Sequence, residues 1–211
     1  NKYEKTGGNV LKKTILVIDA CVRREESRTK KLLEAALDTV RKEHPDWNLE
    51  ILNLMDLDLM YWKTETLKER DELLAKKEYD APVFKYGNQF READGVIVAA
   101  PFWDLSIPAV LKVYIENISA EGITFGCNES GLYGLCKAKW LLFLTTRGGI
   151  WADSDMEQGS TYMEALCKFF GIDEYACVYA DGIDVQELDG EEILREAIEE
   201  TKGICTRLSC E

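Results

Sequence analysis

The sequence predicts a doubly wound α/β fold, in which helices cover both faces of a five-stranded parallel sheet. Five short apolar runs, each typical of a strand buried on both faces, alternate with segments of helical periodicity. Neither an internal repeat nor a low-complexity linker divides the 211 residues. We therefore expect a flexible N-terminal lead-in at residues 1–13 and a single domain at residues 14–211. A closed barrel would need more strands than the sequence supplies.

The first half of the chain supplies three of the predicted strands. Leu33, Leu37 and Val40 recur at helical spacing in the first long helix, which we expect to end before Pro45. Pro108 suits the first turn of a later helix because its fixed φ and missing N–H cost nothing there. The predicted strands are residues 14–19, 49–54 and 95–100, and the predicted helices lie at 29–44, within 56–80, at 83–92 and at 108–118.

The second half begins with a glycine-rich stretch, residues 121–135, which predicts a small β-hairpin flap outside the main sheet. Two further apolar runs, residues 139–145 and 175–180, predict the remaining strands. A helix at residues 156–170 precedes Gly171, a residue typical of a helix C-cap. An acidic last helix is expected at residues 189–202.

Composition excludes several classes of function. A formal net charge of −13 repels nucleic acid and anionic membranes, and no apolar run approaches membrane-spanning length. The polar N-terminus does not predict a signal peptide. Seven cysteines without a CxxC pair favour free thiols in a reducing cytoplasm. Since His44 is the only histidine, neither a histidine-rich metal site nor a Ser/His/Asp triad is expected.

The loop after the first strand is a candidate phosphate site. Ser27 and Thr29 stand where the first long helix begins, and their hydroxyls together with the helix N–H groups can cradle a phosphate. Arg23, Arg24 and Arg28 add positive charge nearby. The alternative is that Ser27 is only an N-cap and the arginines belong to a solvated loop. Neither a GxGxxG fingerprint nor a lysine-containing P-loop occurs, which leaves a mononucleotide phosphate.

Two more loops leave the same edge of the predicted sheet. Phe102 and Trp103 follow a strand and can flank a flat heterocycle, or they can simply cap the core. Gly148 and Gly149 follow the next strand and allow the backbone to approach a ligand, although a plain turn explains them equally well. Because ligands of α/β sheets bind at the carboxyl ends of strands, the three loops together predict a cleft for a phosphate-bearing planar cofactor.

The same loops resemble a known family. The similarity extends from residue 14 to about residue 202, and its pattern comprises residues 100–105, 107–108, 111–112, 122–125, 146–149 and 180–182. On these residues the chain resembles the FMN-dependent NADH azoreductase and NAD(P)H quinone oxidoreductase family. The resemblance implies a flavodoxin-like fold and a bound FMN. It also implies a homodimer with flavin sites at the subunit interface.

The resemblance implies an activity as well. NADH or NADPH would donate hydride to the flavin N5, and a small-molecule acceptor such as a quinone or azo compound would then take the place of the nicotinamide in a ping-pong order. It assigns no catalytic side chain, although Arg147 or the backbone after it would stabilise charge at the flavin edge. The implied cofactor residues are Cys21, Ser27, Arg28, Thr29, Pro101, Phe102, Trp103, Asp104, Leu105, Thr146, Arg147, Gly148 and Gly149, and the implied substrate residues are Phe125, Trp151 and Trp62.

Two residues depart from the family pattern. Cys21 replaces a hydroxyl residue of the phosphate loop and is a weaker hydrogen-bond partner. Asp104 replaces an asparagine. A carboxylate about 4 Å from a reduced anionic flavin would cost about 4 kcal/mol at an effective dielectric near 20, whereas a carboxylate turned to solvent would do little. These departures leave open a scaffold that has lost its flavin. A second alternative is a non-enzymatic flavodoxin-like electron carrier, whose acidic surface would suit docking to a basic redox partner.

Overall fold

The centre of the fold is a five-stranded parallel sheet, as predicted. The computed structural model describes residues 12–211, so residues 1–11 of the predicted lead-in lie outside the described part. The strands in chain order are β1 (Thr14–Asp19), β2 (Asn48–Asn53), β3 (Gly95–Ala99), β4 (Phe125–Asn128), β5 (Gly131–Gly134), β6 (Trp140–Thr146) and β7 (Glu174–Ala180). The main sheet has the order β2-β1-β3-β6-β7, which is the strand order of flavodoxin-like folds.

Helices cover both faces of this sheet. They are α1 (Arg28–Glu43), α2 (Thr64–Ala75), α3 (Lys85–Glu92), α4 (Ala109–Ile118), α5 (Gly159–Phe170) and α6 (Gly190–Arg207). The apolar sides of α1 and α6 pack on one face, and those of α3, α4 and α5 pack on the other. Helix α2 buries none of its own residues. Within residues 12–211, every helix is too short or too polar to cross a membrane.

Several helix ends differ from the predicted ones. Helix α5 begins at Gly159 because the Glu157 carboxylate accepts the first N–H groups of the helix from outside it, at 2.9 Å. Helix α6 continues to Arg207, since Cys205 is buried in the core on this face. Only Thr64–Ala75 of the predicted 56–80 segment is α-helical. The C-cap prediction is confirmed, with Gly171 at φ +78 in the left-handed region.

The predicted flap is a separate two-stranded sheet formed by β4 and β5, which pair antiparallel. It rests on the C-terminal end of α5 through Gly134. A Cβ atom on Gly134 would lie 2.0 Å from the backbone nitrogen of Gly171 and 2.0 Å from the carbonyl carbon of Phe170. Backbone therefore packs directly on backbone at this contact, and only glycine fits.

A buried tyrosine in the core gives a first testable prediction. Tyr114 is fully buried on α4, and its hydroxyl has no hydrogen-bond partner among the described residues. We expect Tyr114→Phe to raise the free energy of unfolding by about 1 kcal/mol, because it removes a desolvated hydroxyl that gains nothing in return. Urea unfolding measures the change. In the control Tyr175→Phe, the lost hydroxyl donates to the Ser160 carbonyl at 2.9 Å, so stability should fall. A destabilised Tyr114→Phe protein would contradict the prediction.

Candidate functional site

The candidate site lies at the carboxyl edge of the sheet, at the point between β1 and β3 where the strand order changes direction. From β1 the chain moves outward to β2 and then returns to place β3 on the other side of β1. The loops that follow β1 and β3 therefore diverge and leave a crevice between them. The loops after β6 and β7 continue the same edge. All the loops singled out by the sequence reach this edge.

Hydrogen bonds join these loops to one another. The hydroxyls of Thr29 and Thr146 lie 2.7 Å apart and link the start of α1 to the end of β6. The N–H of Phe102 donates to the carbonyl of Thr146 at 3.1 Å. The N–H of Asp184 donates to the carbonyl of Gly148 at 2.9 Å. The loops after β1, β3, β6 and β7 thus form one connected wall.

The loop after β1 presents the N-terminus of α1. Ser27 occupies the N-cap position, but its side chain makes no capping hydrogen bond. The Lys30 N–H donates to the Ser27 carbonyl at 3.1 Å, and the N–H groups of Arg28 and Thr29 stay available to an anion. Below the loop, the buried Asp19 carboxylate accepts the Cys21 N–H at 3.0 Å and the Lys30 ammonium at 2.5 Å. Burial raises the pKa of the Cys21 thiol far above its ordinary value, and the Asp19 charge adds to the rise.

Two arginines of this loop, Arg24 and Arg28, are engaged in ion pairs. Arg28 donates two hydrogen bonds to Asp184, at 2.6 and 2.9 Å, and this fork joins α1 to the loop after β7. These bonds hold the pKa of the Asp184 carboxyl below its ordinary value. Arg24 makes the same kind of fork with Asp56, at 2.7 and 3.5 Å. Arg24 and Arg28 therefore organise the loop through protein partners.

The loop after β3 is a tight two-residue turn. Trp103 and Ser106 exchange backbone hydrogen bonds of 3.0 and 2.8 Å, and the two residues between them are in the left-handed region, Asp104 at φ +48 and Leu105 at φ +67. This geometry is that of a primed turn, which normally favours asparagine and glycine. Trp103, Asp104 and Leu105 are exposed at its tip. The local strain is located at the cleft, where strained backbone is often functional.

The loop after β6 has no room for side chains at its two glycines. A Cβ on Gly148 would lie 2.7 Å from the Asp184 carboxylate, and one on Gly149 would lie 2.9 Å from the Trp151 indole nitrogen. The ring of Trp151 is 5.6 Å from the ring of Phe102, so two aromatic side chains stand together beside the exposed glycine backbone. Both glycines are half-exposed, which lets a ligand reach their backbone.

Comparison with known proteins identifies the family. A family model described as a flavodoxin-like fold matches residues 13–204. An FMN-dependent NADH:quinone oxidoreductase of Clostridium beijerinckii is 34% identical over 192 residues, covering 89% of this chain and 96% of the relative. An FMN-dependent NADH:quinone oxidoreductase 2 of Clostridium acetobutylicum is 35% identical over 179 residues, covering 83% and 89%. The chain belongs to the FMN-dependent NADH:quinone oxidoreductase family.

Solved structures agree with this family assignment. An azoreductase from Bacillus anthracis superposes with a TM-score of 0.85 at 28% identity, covering 93% of this chain and 100% of that one. A second Bacillus anthracis structure, an FMN-dependent NADH-azoreductase in complex with FMN, superposes with a TM-score of 0.81 at 24% identity and has the same fold. It covers 93% of this chain and 99% of that one. The predicted flavodoxin-like fold is confirmed.

The donors at the cleft of this family member suit a flavin mononucleotide. The N-terminus of α1 offers N–H groups and the Ser27 hydroxyl to a dianionic phosphate. Among the described residues, the N–H groups of Gly148 and Gly149 donate to no acceptor, which leaves them for carbonyl and nitrogen atoms of a heterocycle. Phe102 and Trp151, whose ring planes are tilted by 44° to each other, supply an apolar aromatic surface. The chain's own residues therefore fit the group that the family requires.

The structure shows where the side chains of two predicted cofactor residues turn. Thr29 is fully buried and its hydroxyl pairs with the hydroxyl of Thr146, so its side chain joins two loops. The Arg147 side chain is 1% exposed and turns into the interior, toward Glu157 and Asp181. The backbone of Gly148 and Gly149, the other group expected to stabilise charge at the flavin edge, is half-exposed. The other predicted cofactor residues belong to the loops after β1 and β3 and to the end of β6, although some of them, among them Cys21 and Thr146, are buried; they are Cys21, Ser27, Arg28, Pro101, Phe102, Trp103, Asp104, Leu105 and Thr146.

The predicted substrate residues do not all come together. Trp151 lies with Phe102 at the cleft. Phe125 and Trp62 instead line a cavity of about 380 Å³ between the flap, α2, α4 and α5, together with Arg70 and the aromatic rings of Tyr162 and Phe169. No residue of the loops after β1, β3 or β6 lines that cavity among the described residues. Within one chain, Phe125 and Trp62 thus form a separate aromatic surface.

Three acidic residues at the cleft were missed by reasoning from sequence alone. Asp184 binds Arg28, Asp181 accepts the N–H of Trp151 at 2.9 Å, and Glu157 accepts N–H groups at the start of α5. Asp181 belongs to a segment that resembles the family, which was a usable signal. The sequence around Glu157 and Asp184 gives no comparable signal, because their charged partners, Arg147 and Arg28, come close only in the folded chain.

The cysteine in the phosphate loop gives a second testable prediction. We expect Cys21→Ser to tighten FMN binding by about tenfold at most, because a hydroxyl is a stronger hydrogen-bond partner than a buried thiol and such a bond adds about 1 kcal/mol. Quenching of flavin fluorescence on titration of the apoprotein measures the dissociation constant. Cys205→Ser, another buried cysteine in the core, serves as the control and should leave the constant unchanged. Weaker binding by Cys21→Ser would contradict the prediction.

Proposed function

We propose that the protein is an FMN-dependent NAD(P)H oxidoreductase that reduces quinones, azo compounds or similar small acceptors. FMN, when bound, supplies the chemistry by accepting hydride from a reduced nicotinamide and passing electrons to an acceptor, in a ping-pong order. Relatives named FMN-dependent NADH:quinone oxidoreductases and a neighbour named azoreductase support this proposal.

One observation carries the proposal: the loops after β1, β3 and β6 form a single connected wall at the sheet's switch point. The contact between the hydroxyls of Thr29 and Thr146 and the bond from Phe102 to Thr146 hold the phosphate loop, the aromatic turn and the glycine loop at fixed spacing. Helix N–H groups, glycine backbone and aromatic rings are then presented together. That combination suits a phosphate-bearing flavin and not a single anion.

The side chains position and shield the cofactor. Ser27 and the first turn of α1 hold the phosphate, and the N–H groups of Gly148 and Gly149 stabilise negative charge at the ring edge. Phe102 and Trp151 exclude water from one side of the heterocycle. No side chain of the cleft is placed as a general acid or base in this proposal.

Anaerobic reduction of the purified holoprotein tests the proposal. We expect NADH or NADPH to bleach the yellow flavin band, and menadione or an azo dye added afterwards to restore it. Bound FMN that neither nicotinamide reduces would overturn the proposal in favour of an electron carrier. A colourless protein that does not take up added FMN would overturn it in favour of a scaffold without flavin.

We also propose that the protein is a cytoplasmic homodimer whose flavin sites lie at the subunit interface. Large apolar side chains exposed on the segment before α2, the flap and the segment after Gly149 support such an interface; they include Tyr61, Leu132, Tyr133 and Ile150. The free thiols suit a reducing compartment. Light scattering after size exclusion should give twice the chain mass. A monomer that retains full turnover would contradict the dimer.

A further inference from the structure

Arg147 is a charged side chain buried behind the cleft. Only 1% of it is exposed, and its charge is shared by two carboxylates: Nη2 lies 3.3 Å from Oε1 of Glu157, and Nη1 lies 3.6 Å from Oδ1 of Asp181. The rings of Tyr179 and Phe102 lie 4.4 and 5.7 Å from its Cζ. We refer to Arg147, Glu157 and Asp181 as the buried charge cluster.

Stability alone does not explain this cluster. Arg147 Nε and Nη1 and Asp181 Oδ1 have no hydrogen-bond partner among the described residues. A buried ion cluster with incomplete hydrogen bonding contributes little net stability, and apolar residues of similar size often stabilise a fold as well or better. The location of the cluster directly behind the glycine loop points to a role at the cleft.

Each carboxylate of the cluster holds a different part of the chain. Asp181 Oδ2 accepts the backbone N–H groups of Trp151 and of the following residue, at 2.9 and 3.1 Å. Glu157 Oε1 accepts the N–H groups of Gly159 and Ser160, both at 2.9 Å. Arg147 stands between the two carboxylates, so the segment after Gly149 and the start of α5 are tied to the same charge.

These two parts also contact the aromatic turn. The N–H of Gln158, which directly follows Glu157, donates to the carbonyl of Leu105 at 2.9 Å. The Trp151 ring, whose backbone Asp181 holds, packs at 5.6 Å from the ring of Phe102. The buried charge cluster therefore sets the spacing between the aromatic turn and the glycine loop from behind, through backbone N–H groups and the Phe102 ring.

We propose that Glu157 and Asp181, acting through Arg147, are positioning residues for the flavin ring. Their charges fix the two walls between which the ring binds. This role rests on the proposed function, since it takes FMN as the occupant of the cleft.

Glu157→Gln is the sharpest variant, because the amide keeps an oxygen for the N–H groups of α5. It removes the charge and replaces Oε2, the acceptor of the Ser160 hydroxyl, by an amide nitrogen from which that hydroxyl can in turn accept. We expect the dissociation constant for FMN, titrated into the apoprotein, to rise about tenfold or more. The visible circular dichroism of the bound flavin should change as well, which a loss of stability alone would not cause. Asp181→Asn should behave similarly. The control is Glu164→Gln, also on α5, where an exposed pair with Lys168 is lost and FMN binding should not change.

A double variant tests whether the charges act as one unit. If they do, Arg147→Met combined with Glu157→Gln should weaken FMN binding no more than Arg147→Met alone, whereas independent roles would multiply the two losses. Far-UV circular dichroism of each apoprotein checks folding. Near-wild-type affinity and flavin spectra in both Glu157→Gln and Asp181→Asn would overturn the positioning role while leaving the proposed function intact. A wild-type protein that binds no FMN would overturn both.

Discussion

Replacing Gly134 by alanine is expected to lower the free energy of unfolding by about 3 kcal/mol or more. The added Cβ would meet the Gly171 nitrogen and the Phe170 carbonyl carbon at 2.0 Å, and both are backbone atoms that no rotamer change can move aside. Either the flap must lift from α5 or the end of α5 must shift. Urea unfolding of the apoprotein measures the loss. Hydrogen exchange at the N–H of Cys136, which donates to the Phe170 carbonyl at 3.1 Å, reports whether the flap has detached.

Gly203→Ala is the matched control for that variant. Gly203 lies within α6, and the nearest atom to its added Cβ is a side-chain nitrogen of Arg207 at 3.6 Å. The same chemical change should therefore be neutral or stabilise the protein by up to about 1 kcal/mol, since alanine has the higher helix propensity. Equal unfolding free energies for Gly134→Ala and wild type would show that the contact is looser than the backbone geometry indicates.

The sequence predicted the sheet and the cleft edge well for a simple physical reason. A strand buried on both faces must be almost wholly apolar, so β3 and β6 are visible as apolar runs, and the residues that follow them lie at the carboxyl edge in any parallel sheet. Ser27, Phe102 and Gly148 were located correctly by this reasoning. Whether a residue lies in a strand or in the loop after it depends mainly on the neighbouring sequence.

The direction of a side chain and its partners from distant parts of the chain do not depend on neighbouring sequence alone, and the prediction of these features was incomplete. Arg147 precedes two glycines at the cleft, but only the fold shows that its guanidinium turns inward to Glu157 and Asp181. Asp184 is 156 positions from its partner Arg28, and nothing near either residue identifies the other. The start predicted for α5, residue 156, was too early for a similar reason. The Glu157 carboxylate lies before the helix and accepts N–H groups of its first turn, a contact that hydrophobic periodicity does not reveal.

Replacing Asp104 by asparagine is expected to raise the two-electron reduction potential of bound FMN. Asp104 is exposed at the tip of the aromatic turn and forms no ion pair or side-chain hydrogen bond with the described residues, so its negative charge is not neutralised by the protein. A unit charge about 4 Å from an anionic reduced flavin costs about 4 kcal/mol at an effective dielectric near 20. Over two electrons that energy corresponds to a shift of at most about 90 mV.

Equilibration of the holoprotein with a reference dye under anaerobic conditions measures this potential. Asp173→Asn is the control, because Asp173 is also exposed but precedes β7 at the opposite edge of the sheet, where the same change in net charge should leave the flavin unaffected. The salt dependence adds a second criterion. Since added salt screens an exposed charge, the difference between Asp104→Asn and wild type should shrink as ionic strength rises. A potential identical in both proteins at low salt would mean that the Asp104 carboxylate faces solvent and does not tune the flavin.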